Sequence, residues 1–139
     1  MPRTVTRYSL LLFGSLALAA SMPAAAQEQP STRRVVRIVA ERFLFTPSEI
    51  TAEVGTTLEI RLTSEDTNHG FRLVDSEGQE VNLTIPRRGR GEVVAIFNAK
   101  DPGDYTFECS HVCGAGHNFM RGRIRVKARA ETEAEEAAR

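Results

Sequence analysis

The chain has 139 residues, with 18 Lys and Arg against 18 Asp and Glu, so its formal charge is zero. That length leaves room for one domain, and the charge balance gives no reason to expect a nucleic-acid or membrane-surface binder. Two cysteines are all the chain contains, which makes their placement informative.

At the start, Arg3 and Arg7 precede an apolar run from Tyr8 to Ala20, and Ala24, Ala25 and Ala26 stand before Gln27. This pattern predicts a secretory signal peptide over 1–26, cut after Ala26, because the run falls short of the roughly 18 to 20 apolar residues of a spanning helix. The protein is expected to be exported to the periplasm, with no transmembrane segment after cleavage. Losing Arg3 and Arg7 leaves 16 basic residues against 18 acidic ones, a formal charge of −2. Residues 27–33 read as a linker and 34–129 as a domain large enough to bury one core.

Within that domain the signals are short strands. Arg34 to Ala40 alternates imperfectly, and Phe43 to Ile50 leads past Pro47 into a second apolar segment. After a turn at Gly55, Thr57 to Thr63 alternates cleanly, with Leu58, Ile60 and Leu62 on one face. His69 follows that strand and is expected at a strand end, with Asn68 bonding inside the turn that presents it. Val93 to Phe97 is a further strand; Pro102 and Gly103 punctuate before Tyr105 to Cys109, and Arg123 to Val126 closes the domain. Several short strands with turns between them, and no long amphipathic helix, predict an all-β sandwich.

One strand ends at Cys109 and the next begins after Met120, so the loop between them gathers Cys109, His111, Cys113, His117 and Met120 at one end of the sandwich. Thiolate, imidazole and thioether together point to copper, since soft sulfur selects copper(I), zinc or iron–sulfur chemistry and imidazole suits copper and zinc. A Cys109–Cys113 disulfide is the plain alternative in an oxidising compartment. It would close a very small ring, stabilise weakly and leave His117 and Met120 without a reason. His69, Cys109, Cys113 and His117 also make a Cys2His2 set of the kind that holds structural zinc, against which Met120 counts. Phe119 and Tyr105 are expected to pack around the loop. The end of the chain, 130–139, sets Glu131, Glu133, Glu135 and Glu136 among alanines and reads as a disordered acidic tail or at most a marginal helix.

Phe45 to Ile50, Gly55, Thr63 to Phe71, Pro102 to Tyr105 and the motif Cys-x-x-x-Cys-Gly-x-x-His-x-x-Met from Cys109 to Met120 resemble the periplasmic cupredoxin domain of cytochrome c oxidase subunit II. The likeness spans residues 40 to 126 and implies a Greek-key β-sandwich with a dinuclear copper centre of the CuA type. It implies that Cys109 and Cys113 bridge two coppers, that His69 and His117 cap one each, that Met120 is a weak axial ligand, and that the backbone carbonyl of His111 takes the corresponding place on the other ion. Gly114 and Gly116 would let the loop turn sharply between ligands.

The implied role is single-electron transfer, with no catalytic residue, toward a redox partner such as a c-type cytochrome or an oxidase subunit. A periplasmic copper chaperone or copper store using the same ligands is the alternative. Two departures from the family stand out: a signal peptide in place of a membrane hairpin, and His111 in place of a Glu whose carboxylate serves a magnesium site. Arg121, Arg123, Arg125, Lys127 and Arg129 form a cationic stripe beside the loop, which with Arg87, Arg88 and Arg90 would suit an acidic partner. Read plainly, the same stripe is a solvated strand face that protects the sheet edge.

Overall fold

The computed structural model describes residues 32–139, and of Glu131, Thr132 and Glu135 only the backbone. The expected signal peptide over 1–26, and 27–31 of the expected linker, lie outside the described residues. Nine strands follow: β1 Thr32–Glu41, β2 Leu44–Thr46, β3 Glu49–Glu53, β4 Thr56–Ser64, β5 His69–Val74, β6 Glu80–Ile85, β7 Val93–Asn98, β8 Gly103–Glu108 and β9 Arg121–Lys127. They form two mixed sheets, ordered β2-β1-β4-β7 and β3-β9-β8-β5-β6. The chain crosses between the sheets again and again, which makes a cupredoxin-like Greek-key sandwich.

Period-two alternation builds the core. Leu58, Ile60 and Leu62 of β4 are fully buried, and Ile38 and Ala40 of β1 with Ala95 and Phe97 of β7 complete that inner face. Ile50, Phe71, Leu73, Phe107, Ile124 and Val126 face them from the second sheet. Each large apolar side chain taken from water in this way stabilises the fold by about 1.5–3 kcal/mol. Three phenylalanines interlock beneath one end of the sandwich. Phe45 meets Phe71 at 6.1 Å and Phe107 at 5.3 Å, and Phe71 lies 5.3 Å from Phe107.

The registers bring six strand ends together at that end. Ala40 pairs with Ser64, His69 with Ile85, Arg72 with Glu108, and Glu108 with Arg121. Strands β5 and β6 form a hairpin absent from the sequence reading, although Phe71 and Leu73 alternate correctly for one. Its turn is an Asx motif: Asp75 Oδ1 accepts from the N–H groups of Glu77 at 2.9 Å and Gln79 at 2.8 Å. Strand β1 starts two residues before the expected domain boundary. The acidic end forms a helix, α1 Arg129–Ala137, the second of the two forms open to it. Among the described residues no helix is long and apolar enough to cross a membrane.

Candidate metal centre

Strand parity delivers two of the candidate ligands to the core face. His69, Phe71 and Leu73 share one face of β5, and Cys109 continues the inward face that Phe107 occupies on β8. The phenylalanine cluster therefore fixes both strands directly below the side chains that must converge. His69 begins β5 rather than trailing the end of β4, and it is completely buried. A Cβ on Gly70 would fall 2.3 Å from Ser110 Oγ and 2.5 Å from the His111 nitrogen, so only glycine lets β5 approach the loop this closely.

Cys109 and Cys113 are buried free thiols with sulfurs 3.7 Å apart, too far for the ~2.05 Å of a disulfide. His69 Nδ1 lies 4.0 Å from Cys109 Sγ, and the ligand atoms of His69, Cys109 and Cys113 all fall within 4.8 Å of one another. Met120 Sδ is 3.9 Å from Cys113 Sγ and nearly inaccessible. The His111 carbonyl oxygen sits 3.1 Å from Cys109 Sγ, while the residue itself is exposed. His117 opens a short 3-10 turn over His117–Phe119 and stands outside the three-residue cluster. Its Nδ1 is buried with no hydrogen-bond partner, which is costly for an imidazole unless an ion completes it.

Burial, and then the Cys109 sulfur beside it, push the Cys113 thiol up to about 11. In the metal-free protein that thiol keeps its proton at neutral pH, and a metal must displace it. The donor set is soft sulfur and imidazole, which fits copper, and the unpaired His117 nitrogen is a place for a metal to be accepted.

Around these groups lies a layer the sequence reading did not find. Asp66 Oδ1 is 2.7 Å from His69 Nε2. A carboxylate can only accept, so Nε2 carries the proton and Nδ1 presents its lone pair toward the sulfurs. Asp66 is itself held by the N–H groups of Thr67 at 2.7 Å and Arg42 at 3.1 Å. Burial works to raise its pKa, but the bonds from His69, Thr67 and Arg42 prevail and hold the carboxyl below its ordinary value. Arg42 Nε also donates to the Cys113 carbonyl at 3.1 Å, which ties the histidine turn to the cysteine loop. Asp66, three residues before His69, was available as a local signal; Arg42, far upstream, was not.

Three expectations change. Phe119 does not pack around the loop: it is 81% exposed, as is Val112 at 78%. Tyr105 does pack, but against Phe97 at 5.1 Å. Asn68 bonds outside its own turn, accepting from the Arg87 N–H at 2.7 Å and so fastening the β6–β7 connection beside His69. The cationic stripe is also not uniform. Arg123 is paired with Glu49 and Asp104, and Arg125 with Asp104 at 3.1 Å. Arg121 instead donates to the Asn118 carbonyl at 2.8 Å and has no carboxylate partner among the described residues.

Comparison with known proteins agrees with this architecture. The chain is 34% identical over 93 residues to cytochrome c oxidase subunit 2 of Thermus thermophilus, covering 66% of this chain and 64% of that relative. It therefore spans just under two thirds of that protein's length. A chain of a heme-copper terminal oxidase dimer solved by cryo-EM superposes with a TM-score of 0.61 at 25% identity, over 76% of each chain. The periplasmic domain of subunit II of cytochrome oxidase (CoxB) of Bradyrhizobium japonicum superposes with a TM-score of 0.57 over 72% of this chain and 88% of that one, and at 21% identity it speaks for the fold alone. Residues 7–138 match the family described as MSMEG_3727_PQQ-assoc, PQQ-associated. The chain belongs to that PQQ-associated family, and it is a homologue of cytochrome c oxidase subunit II with structural similarity to that subunit's periplasmic CuA cupredoxin domain.

Proposed function

We propose that the protein is an exported, periplasmic electron carrier holding a dinuclear copper centre of the CuA type. His69, Cys109, Cys113 and His117 would bind through their side chains, Met120 through its thioether and His111 through its carbonyl. Bound copper supplies a one-electron couple. The observation that carries the reading is the pair of buried free thiols at 3.7 Å, with His69 Nδ1 facing Cys109 and an unpartnered His117 Nδ1 in the same loop. The residues themselves fix the geometry: Asp66 orients His69, Arg42 anchors the Cys113 carbonyl, and the phenylalanine cluster holds the strands. A rigid site of this kind needs little rearrangement when an electron arrives.

Enclosure favours a resident metal over cargo. Cys109 and Cys113 are only 5% and 6% exposed, so handing an ion to an acceptor would require the loop to open. The family description points to a source of electrons. Pyrroloquinoline quinone collects two electrons from a substrate and must release them to acceptors, and a single-electron carrier suits that position between a quinoprotein and a c-type cytochrome or oxidase.

Loading the purified chain with copper tests the reading. The expected result is two coppers per chain, a purple colour, and an electron-spin spectrum whose hyperfine structure reports two equivalent copper nuclei. A single labile copper that passes readily to an acceptor, or a colourless zinc-loaded chain, would overturn it.

A further inference from the structure

The metal-bearing end of the sandwich has an unusual surface. Val112, between the two cysteines, and Phe119, next to Met120, are among the most exposed large apolar side chains described, and Leu44 at the start of β2 adds a third at 44%. The β1–β2 register places Leu44 beside Glu41, at the same end as the loop, and Phe43 packs against Gly114 and Gly116 of the loop itself. Exposed aromatic and aliphatic groups gathered at the same end as the buried candidate ligands mark a contact surface rather than ordinary solvent exposure.

Charge says what kind of partner fits. Most carboxylates at this end are occupied: Asp66 by Arg42, Glu65 by Arg88, Glu92 by Arg61, and Glu108 by Arg72. Arg87, Arg90 and Arg121 have no carboxylate partner among the described residues, and Glu41 is the one carboxylate here in the same position. Arg87 and Arg90 flank the metal end on the β6–β7 connection, fastened next to His69 through Asn68, and Arg121 flanks it from β9. The rim is therefore net cationic around an apolar centre.

We infer that this end docks a redox protein whose electron-exchange face is apolar at its centre and rich in carboxylates at its rim. The inference rests on the electron-transfer reading above and adds the chemistry of the partner. Two copies of this chain would meet cation to cation, so the surface selects against self-association and for a partner of opposite sign.

A lysine-rich cytochrome c, and the same cytochrome with its lysines succinylated, serve as probes that share a haem and differ in surface charge. In each exchange one electron leaves the ferrous haem, which becomes ferric, and enters the copper-loaded chain. The succinylated probe is expected to react at least about tenfold faster at low ionic strength, and to slow as salt is added. The double variant Arg87→Glu with Arg90→Glu, both exposed and neither holding the candidate ligands, should remove most of that advantage. Equal rates for the two probes, a rate indifferent to salt, or an unaffected variant would each overturn the inference.

Amide shifts of the metal-free chain on adding succinylated cytochrome report docking without any copper. Shifts at 86–91 and 111–121 support the surface even if the electron-transfer reading fails on its own test. An unperturbed spectrum, or shifts centred on Val35, Val94 and Ile96 of the outer sheet face, overturns it.

Discussion

Replacing Asp66 separates what orients the candidate ligand His69 from what holds the fold. In Asp66→Ala, His69 loses the acceptor 2.7 Å from its Nε2, and the N–H groups of Thr67 and Arg42 lose theirs. The imidazole can then adopt either tautomer and tilt away from the sulfurs. Removing such an outer-layer partner lowers metal affinity about 10- to 100-fold, or about 1.4–2.8 kcal/mol. The two freed amides add a separate loss of about 1–3 kcal/mol each in folding stability where they stay out of water.

Asp66→Asn distinguishes the two effects. Its amide oxygen can still accept from His69, but its nitrogen then faces the Arg42 N–H, donor against donor. Affinity should fall by no more than about tenfold, and stability should fall by less than in the alanine variant, because the oxygen that accepts from His69 also keeps the Thr67 N–H. A chelator competition titration reads the first quantity and thermal unfolding of the metal-free protein reads the second. Loss of the carboxylate charge beside His69 also favours the reduced state, so the potential of both variants should rise. An alanine variant that folds and binds copper as tightly as the unmodified protein would refute the orienting role.

The remaining predictions concern protons and space. Because burial pushes the Cys113 thiol to about 11, copper loading at neutral pH should release its proton, and apparent affinity should climb with pH up to that value; calorimetry in two buffers of different ionisation enthalpy measures the release. Gly70→Ala drives a methyl into the Ser110 and His111 backbone, which should cost about 1–3 kcal/mol, lower the melting temperature by about 4–8 °C per kcal/mol and weaken metal binding, as unfolding and titration would show. Hydrogen bonds from Arg33 and Arg61 hold the buried Glu59 carboxyl below its ordinary 4.5. Its contribution is in place above that pH and is lost as pH falls below it, through the depressed folded-state value. Melting curves of Glu59→Gln and the unmodified protein should therefore differ at pH 7 and converge in acid.

How much of this was legible in the sequence follows from where each signal resides. Strand β4 was clear because Leu58, Ile60 and Leu62 alternate with polar neighbours on a sheet whose other face meets solvent. The β5–β6 hairpin was not. Strand β6 does alternate, with Val81, Leu83 and Ile85 set between Glu80, Asn82 and Thr84, but its partner does not at its start, where His69-Gly70-Phe71 is buried without alternation. The loop from Cys109 to Met120 was readable because its donors are local and chemically rare. Gly114 and Gly116 were assigned to turning, and the structure adds a second reason, since a side chain at either would meet the Phe43 ring.

Long-range polar partners explain the rest. Arg42 reaches the loop across 71 positions of chain, and no local pattern could connect its guanidinium to the Cys113 carbonyl. The cationic stripe shows the same limit from the other side. Alternation correctly placed Arg121, Arg123 and Arg125 along one strand, but it cannot report what stands across from them. Asp104 lies opposite Arg125 on β8 and Glu49 opposite Arg123 on β3, so those two cations are neutralised where they stand. Arg121 lies opposite Glu108, which is already engaged by Arg72. The free positive charge therefore gathers at the end of the sandwich that carries the candidate ligands rather than along the strand.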